Sequence, residues 1–262
     1  MDKKLLLDRA AKDGEQRVLL SRVLDKYEQA QTRNSPTHTA FLSPAEQAAA
    51  TDLLAAAGVR SGFCFHGGAA DTERKILFFL PDWQEEADAE EAIAALFCRF
   101  HESYTLSHRD FLGSLMAMGI TREKLGDIFV DGHTATLFVS TDIVEYLREQ
   151  WSGVGRAAIK TERITLGEVA LPARSVKEVR DTVSSLRLDA VIAAALSMSR
   201  TQASELIAAG KVQKNYREAA KGDAAVAEGD VISARGFGKF ELAEVGRLTK
   251  KGRTAILIRR YI

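Results

Sequence analysis

The chain has 262 residues, 46% of them hydrophobic, and a formal net charge of zero. This length and apolar content can fill the cores of two or three domains, which excludes a disordered polymer. No run reaches the roughly 20 apolar residues that span a bilayer, and acids stand among the lysines of the amino terminus, so we expect a cytoplasmic protein without a membrane span.

The cysteines and histidines lack the spacings of a metal site. Cys64 and Cys98 lie in apolar runs without a CxxC spacing, which is typical of buried thiols in a reducing compartment. The five histidines form no i, i+4 pair and no cluster with a cysteine. We therefore expect no metal site and no cofactor.

The first 60 residues have the pattern of helices. Asp13 can cap a helix with Gln16 at its third position, and the apolar residues after it recur on one face: Leu20, Val23, Leu24 and Tyr27. The run Ser43-Pro44-Ala45-Glu46 offers an N-cap, a proline at the first helical position and the carboxylate of a capping box. Gly58 ends this second helix, so we predict a helical region over residues 1–60.

From residue 61 the pattern changes to short strands. Apolar runs at 63–65 and 76–80 lie on either side of Gly67-Gly68, which indicates a hairpin or two neighbouring strands. A third strand is expected within 92–100, although its alanines also fit a helix.

Two helices and three strands are expected next. The helices begin at Ser107 and Thr141, and the strands cover 127–130, 135–139 and 157–164. The order β-β-α-β-β-α-β predicts that residues 61–172 form a helix-backed α+β sandwich of the kind that RNA-recognition modules use, here called RRM-like.

A connector and two short helices are predicted after residue 172. Ser175 and Glu178 can form a capping box, which predicts a connector helix over 173–182. The next helix has an apolar stripe from which Arg187 and Asp189 are excluded: Leu188, Val191, Ile192, Ala195 and Leu196.

The start of the following helix predicts an anion site. Ser199 and Gln202 form its capping box, and Gly210 ends it. Free backbone amides and the helix dipole favour a phosphate beside Arg200 and Thr201. We expect Arg200→Glu to weaken RNA binding while hardly changing the melting temperature, unless Arg200 pairs with Glu205 or another nearby acid.

Strands are then expected at 211–215 and 228–232, with basic side chains on the side of that helix start: Lys211, Lys214, Arg235 and Lys239. Residues 183–262 hold 6 Lys and 8 Arg against 3 Asp and 5 Glu, a net charge of +6, which leaves −6 for residues 1–182. A polyanion is the natural partner of such a segment, although a solvated basic surface is the alternative.

These C-terminal residues resemble the S4 RNA-binding domain. The resemblance is carried, in chain order, by Arg187-Leu188-Asp189, Ser199 to Ala203, Leu206-Ile207, Gly210-Lys211-Val212, Asn215, Gly229-Asp230 and Arg235-Gly236. It implies an αL-like surface over 183–262 that lies on folded RNA, with contacts from these residues: Arg187, Ser199, Arg200, Thr201, Gln202, Lys211, Lys214 and Arg235. Lys239 is added because it is basic and is expected on the same side as the start of the second helix. Tyr216 replaces a glycine that many members carry, so a wider turn is expected there.

Almost the whole chain resembles the YlmH family of bacterial S4-domain proteins. Beyond the S4 motifs, the resemblance is carried by Gly67-Gly68, Glu73-Arg74-Lys75, the run from His108 to Met116 and the run from Arg122 to Ile128. It implies a cytoplasmic α+β protein with a helical N-terminal segment, a central RRM-like domain and an S4 tail. It also implies binding to rRNA and tRNA on the large ribosomal subunit, in translation or ribosome quality control.

Alternatives remain open for the first 172 residues. His108-Arg109-Asp110 is not expected to be catalytic, because adjacent residues at a helix start point in different directions. His108, Arg109, Arg122 and Lys124 are candidates for secondary RNA contacts or for a solvated surface. Residues 1–172 could also bind a protein partner. A noncatalytic RNA binder is therefore expected, and the alternative is an RNA-modifying enzyme of the pseudouridine synthase or methyltransferase class.

Overall fold

The computed structural model describes residues 3–172 and 176–261. They divide into two compact units, Met1–Pro172 and Ala173–Ile262. Within the described residues, no helix is both long and apolar enough to cross a membrane.

The first part of unit 1 is a three-stranded sheet with helices. Its elements are α1 (Lys3–Ala10), α2 (Gly14–Arg33), β1 (Thr37–Leu42), α3 (Pro44–Ala56), β2 (Phe63–His66) and β3 (Lys75–Phe79). The predicted caps are confirmed, since Asp13 accepts a hydrogen bond from the Gln16 amide and Ser43 forms a capping box with Glu46. The apolar face of α2 is buried in one core with α3 and β3.

The strand β1 corrects the prediction of a purely helical region. Its sequence, Thr-His-Thr-Ala-Phe-Leu, is rich in residues that favour strands. It pairs antiparallel with β3, and β2 pairs with the other side of β3. The strands expected at 63–65 and 76–80 therefore join a sheet with residues 37–42 and do not extend the central sheet.

The second part of unit 1 is a five-stranded antiparallel sheet. Its elements are α4 (Ala89–Ala92), β4 (Ile93–Phe100), α5 (His108–Ala117), β5 (Leu125–Asp131), β6 (Thr134–Ser140), α6 (Val144–Gln150), β7 (Gly153–Val154) and β8 (Ala157–Ile164). The strand order is β5-β6-β4-β8-β7. The strands expected near 92–100, 127–130, 135–139 and 157–164 are confirmed, as is the helix after Ser107. The helix expected to begin at Thr141 begins at Val144, after a 3-10 turn, and the Thr141 hydroxyl donates to the Glu91 carbonyl instead of capping the helix.

Both faces of this sheet are covered near its centre. Alternate residues of β4, including Leu96 and Cys98, face a core that contains α5 and α6. Ala95 and Phe138 point the other way and pack with Phe41 of β1 and Phe78 of β3. Because successive strand residues alternate between faces, Phe97 and Arg99 of β4 share the face of Ala95, and there Phe97 is partly buried and Arg99 is exposed. The N-terminal sheet therefore covers the centre of this face and leaves the far end of β4 and β8 open.

Two polar groups and one glycine hold the two sheets together. The guanidinium of Arg74 is buried and donates hydrogen bonds to the carbonyls of Phe41, Leu125 and Arg122 at 2.7–3.1 Å. The Asp127 carboxylate accepts from the backbone amides of Glu73 and Arg74. A Cβ on Gly126 would lie 2.8 Å from the Phe41 ring, so only glycine allows this approach.

Unit 2 packs two helices on a six-stranded antiparallel sheet. Its elements are β9 (Val176–Val183), α7 (Leu188–Leu196), α8 (Arg200–Ala208), β10 (Val212–Lys214), β11 (Arg217–Glu218), β12 (Val231–Ala234), β13 (Gly238–Leu248) and β14 (Thr254–Tyr261). The strand order is β11-β10-β12-β13-β14-β9. The predicted stripe of α7 is confirmed: Leu188, Val191, Ile192 and Ala195 are buried against β12, β13 and β14.

Two expectations for unit 2 are corrected. Residues 176–183 form the edge strand β9 where a connector helix was expected, and the predicted cap Ser175 lies outside the described residues. The strand expected at 228–232 begins instead at Val231, because Gly229 and Asp230 lie in the turn before it.

Candidate nucleic-acid interface

The start of α8 has the predicted capping box. Ser199 Oγ accepts from the Gln202 amide at 3.1 Å, and Gln202 Oε1 accepts from the Ser199 amide at 2.9 Å. The side chains of Ser199 and Gln202 therefore serve the cap, while the exposed Thr201 stands beside them. Ser197, with φ 53°, makes the tight break between α7 and α8.

A buried carboxylate organises the two arginines at this end of the unit. Asp189 Oδ2 lies 2.8 Å from a terminal nitrogen of Arg200 and 3.1 Å from one of Arg187, and the Asp189 side chain is only 7% exposed. Both arginines remain about half exposed. We call Arg187, Asp189 and Arg200 the Asp189 cluster. Burial acts to raise the pKa of Asp189, but the hydrogen bonds from Arg187 and Arg200 outweigh it, so that pKa lies below its ordinary value.

The Asp189 cluster changes the expected result of a charge reversal. From the sequence, Asp189 was expected to lie outside the apolar stripe of α7. In the structure it is buried and is the acid that pairs with Arg200. Arg200→Glu would place a second carboxylate beside it, so the pairing of Arg200 with a nearby acid applies and we now expect the melting temperature to fall.

A second basic group lies at the opposite end of α8. The Lys211 amide donates a hydrogen bond to the Leu206 carbonyl at the end of the helix. The Arg235 amide in turn donates a hydrogen bond to the Lys211 carbonyl at 2.8 Å. Lys239, the second residue of β13, lies beside them, with Nζ 4.9 Å from the Tyr261 ring centre. These three residues, the Lys211 cluster, line a concave surface. The nine residues of α8 separate the Lys211 cluster from the helix start by about 13 Å.

Glycines and one aromatic residue shape the rim of the Lys211 cluster. Gly236 and Gly238 have φ of 88° and 100°, which the turn between β12 and β13 requires. Phe237 between them is 46% exposed. An exposed ring beside cations can stack on a base.

Lys214 is directed inward. Its ammonium lies 2.8 Å from the Asp230 carboxylate and donates to the Ala225 carbonyl at 2.7 Å. The Asn215 side chain donates a hydrogen bond to the Asp230 carboxylate and accepts one from the Val231 amide. Burial acts to raise the pKa of Asp230, but the Ala227 amide, Lys214 and Asn215 lower it below its usual range. Lys214 therefore supports the turn and is held away from a ligand.

The turn at residue 216 is tight where a wider one was expected. Lys214 pairs directly with Arg217, which leaves two turn residues, Asn215 and Tyr216, with φ of 49° and 61°. Two successive positive φ values are those of a type I′ turn. Tyr216 thus adopts the left-handed conformation that favours glycine.

Some of the candidate RNA-contact residues of unit 1 make contacts within the fold, and others lie on its surface. Arg109 is exposed, Lys124 pairs with Asp142, and Asp110 accepts hydrogen bonds from Ser107 as expected for a cap. Partial burial and the nearby Arg122 lower the pKa of His108, so its ring is neutral at pH 7.

Neither cysteine forms a disulfide. Burial raises the pKa of Cys98 to about 12, which confirms a core thiol, while Cys64 is partly buried. No group of three or more His, Cys, Asp or Glu side chains in residues 3–172 and 176–261 is placed to hold a metal.

Comparisons with known proteins identify the family. Residues 96–168 match the family model described as "Putative RNA-binding domain in YlmH". The "Ribosome-associated protein quality control protein P2" of Bacillus subtilis (strain 168) is 34% identical over 223 residues, which cover 85% of this chain and 86% of the relative. The chain belongs to the YlmH family. This confirms the family predicted from the sequence.

A solved structure of a YlmH protein is also similar. The "Cell division protein ylmH from Streptococcus pneumoniae" aligns with 60% of this chain and 96% of its own length, at 16% identity and a TM-score of 0.49. The residues matched to the YlmH family model, 96–168, run from β4 to just beyond β8 and so cover the five-stranded sheet of unit 1.

Proposed function

We propose that this YlmH-family protein is a noncatalytic RNA-binding protein that docks on structured RNA, namely rRNA or tRNA on the large ribosomal subunit. The observation that carries the proposal is its 34% identity, over most of both chains, to a protein named as ribosome-associated. A cytoplasmic role in translation or ribosome quality control follows from the same likeness.

We assign the RNA-binding surface to unit 2, which we interpret as an S4 domain. The order α7, α8 and the following hairpin supports this assignment, as does the net charge of +6 over residues 183–262. The primary contacts are the Lys211 cluster and the Asp189 cluster, where half-exposed arginines can each offer a fork of donors to a phosphate. The amides at the start of α8, together with Ser199, Thr201 and Gln202, complete the second contact.

Unit 1 is assigned a supporting role. Its β-α-β-β-α-β order and sheet order support an RRM-like fold. An RRM stacks bases on the open face of its sheet. Here Phe138 and Ala95 on the face opposite the helices are buried against Phe41 and Phe78. RNA contacts at the centre of this face are therefore blocked, Arg109 and Arg122 are candidates for contacts at the rim, and the unit is left available for a protein partner.

Sedimentation with purified large ribosomal subunits tests the proposal. The full chain should cosediment at low salt and dissociate as salt rises, because phosphate contacts release counterions. Lys211→Gln/Arg235→Gln should weaken binding about tenfold or more, at roughly 1 kcal/mol for each lost charged contact. The control is Arg9→Gln/Lys12→Gln, which removes the same charge from exposed positions of unit 1.

Two results would count against the proposal. Equal binding by the Lys211 cluster variant and the control would remove the RNA contact from this surface. New methyl groups or pseudouridines in rRNA after incubation with the protein and the methyl donor would support the RNA-modifying alternative.

A further inference from the structure

The loop that joins β13 and β14 carries a concentrated positive charge. Residues 247–253, the hairpin tip, read Arg-Leu-Thr-Lys-Lys-Gly-Arg and contain four basic residues and no acid. They account for four of the six net positive charges of residues 183–262. Neither the S4 resemblance nor the predicted contact residues include this segment.

The cations of the hairpin tip are exposed. Arg247, Lys250 and Lys251 are exposed, and none of the three has an ion pair within the described part of the chain. The nearest acids in sequence, Glu244 and Glu241, precede the tip in β13, and Asp181 of β9 adjoins Thr182, which Arg253 contacts. Within the described residues, none of these acids forms an ion pair with Arg247, Lys250 or Lys251, so the tip keeps a net positive charge.

The backbone of the hairpin tip is held in place. The Thr249 amide donates to the Arg253 carbonyl at 2.7 Å, and the Gly252 amide donates to the Thr249 carbonyl at 2.9 Å. The Arg253 guanidinium donates to the Thr182 hydroxyl at 2.8 Å and to the Thr182 carbonyl, which fixes the tip to β9. A fixed loop loses less conformational entropy when it binds than a flexible one.

The hairpin tip is distant from the Lys211 cluster. β13 runs from Gly238, beside the Lys211 cluster, to Leu248 at the tip. Ten strand steps of about 3.3 Å separate the two by roughly 30 Å. Beyond Glu241, β13 no longer pairs with β12, so this half of the hairpin extends past its neighbour. Leu248 at its end is 71% exposed.

We propose that the hairpin tip is a second RNA contact, which binds the phosphate backbone about 30 Å from the Lys211 cluster. Three exposed cations on a fixed loop suit a polyanion, and the separation suits one long RNA helix or two neighbouring RNA elements. The proposal rests on the proposed function, since it assumes that unit 2 binds RNA.

The test measures the dissociation constant and its salt dependence with full-length protein and two probes, protein-free large-subunit rRNA and intact large subunits. Lys250→Gln/Lys251→Gln should weaken binding to both probes about tenfold. It should also reduce the slope of log affinity against log salt by about 1 to 2, since each phosphate contact contributes roughly 0.7–0.9. Combined with Lys211→Gln/Arg235→Gln, the free-energy losses should add, because the sites are far apart.

The matched control is again Arg9→Gln/Lys12→Gln, which should leave both quantities unchanged. The proposal is overturned if the tip variant binds like wild type while the Lys211 cluster variant does not, a result that leaves the proposed function intact. Loss of binding to intact subunits alone also overturns it, because that result identifies an acidic ribosomal protein as the partner. Failure of the wild type to bind either probe refutes both proposals.

Discussion

Replacing Asp189 with asparagine separates two effects that act on RNA affinity in opposite directions. Asp189 bonds both Arg187 and Arg200 and is nearly buried. If these bonds hold the arginines ready for phosphates, their loss should weaken RNA binding. Removing a negative charge from a protein that binds a polyanion should, by itself, strengthen binding. The sign of the change therefore decides whether Asp189 is a positioning residue.

The expected magnitude follows from the ordering of the two side chains. Immobilising one long side chain on binding costs about 0.5–1.5 kcal/mol. Together the two side chains lose about 1–3 kcal/mol, while removing the Asp189 charge gains roughly 1 kcal/mol when bulk water screens a charge about 4 Å away. We expect Asp189→Asn to bind rRNA more weakly, by up to about thirtyfold.

The assay compares Asp189→Asn with Asp223→Asn. Asp223 is exposed and acts on Arg187 electrostatically, but no hydrogen bond joins the two residues in the described structure. Asp223→Asn should bind RNA as well as wild type or slightly better. The dissociation constant is measured well below the melting temperature, which should fall by about 4–8 °C for Asp189→Asn, or about 1 kcal/mol after allowing for solvent screening of the arginines. Tighter RNA binding by Asp189→Asn would refute the positioning role.

Three further predictions concern the fold. Tyr216→Gly should raise the urea midpoint, because glycine removes a left-handed strain of about 1–2 kcal/mol; a lower midpoint would show that the tyrosine contacts outweigh it. Arg74→Met should lower the unfolding free energy by about 3 kcal/mol or more, since three carbonyls lose a donor, and rRNA affinity should stay within about twofold; a larger loss of affinity would implicate unit 1 in binding. The lowered pKa of His108 means that protonation favours the unfolded chain, so stability should fall as pH drops through about 6.5, and less steeply in His108→Gln; equal slopes by chemical denaturation would contradict this.

Local signals predicted the helix starts well, and long-range pairing explains the errors. The caps at Asp13, Ser43 and Ser199 depend only on residues three positions away, and all three are present. β9 illustrates the opposite case. Glu178 suggested a capping box, but all eight residues of the strand pair with β14, which lies about 80 positions later in the chain. Tertiary pairing of this kind overrides a weak local preference.

The candidate site shows the same division between local and distant information. The exposed Lys211 and Arg235 could be identified from their charge and position. The role of Asp189 could not, because its partner Arg200 is eleven residues away on another helix. One signal for this role was present in the sequence: Asp189 is an acidic residue at the start of a helix that is otherwise apolar and buried. The pairing of Lys214 could not be predicted for the same reason, since Asp230 approaches it only after β10 and β12 have paired.

The distribution of exposed charge favours RNA over a small anionic ligand. A count of 14 basic residues in 183–262 overstates the charge available for binding, because Arg187 and Arg200 share one carboxylate and Lys214 is paired with Asp230. Besides the Asp189 cluster, two basic clusters lie at the two ends of β13, roughly 30 Å apart. A mononucleotide or a single phosphate group could engage only one end. A folded RNA, whose phosphates repeat over tens of ångströms, can engage both ends at once, so this separation supports the proposal that unit 2 binds an extended polyanion.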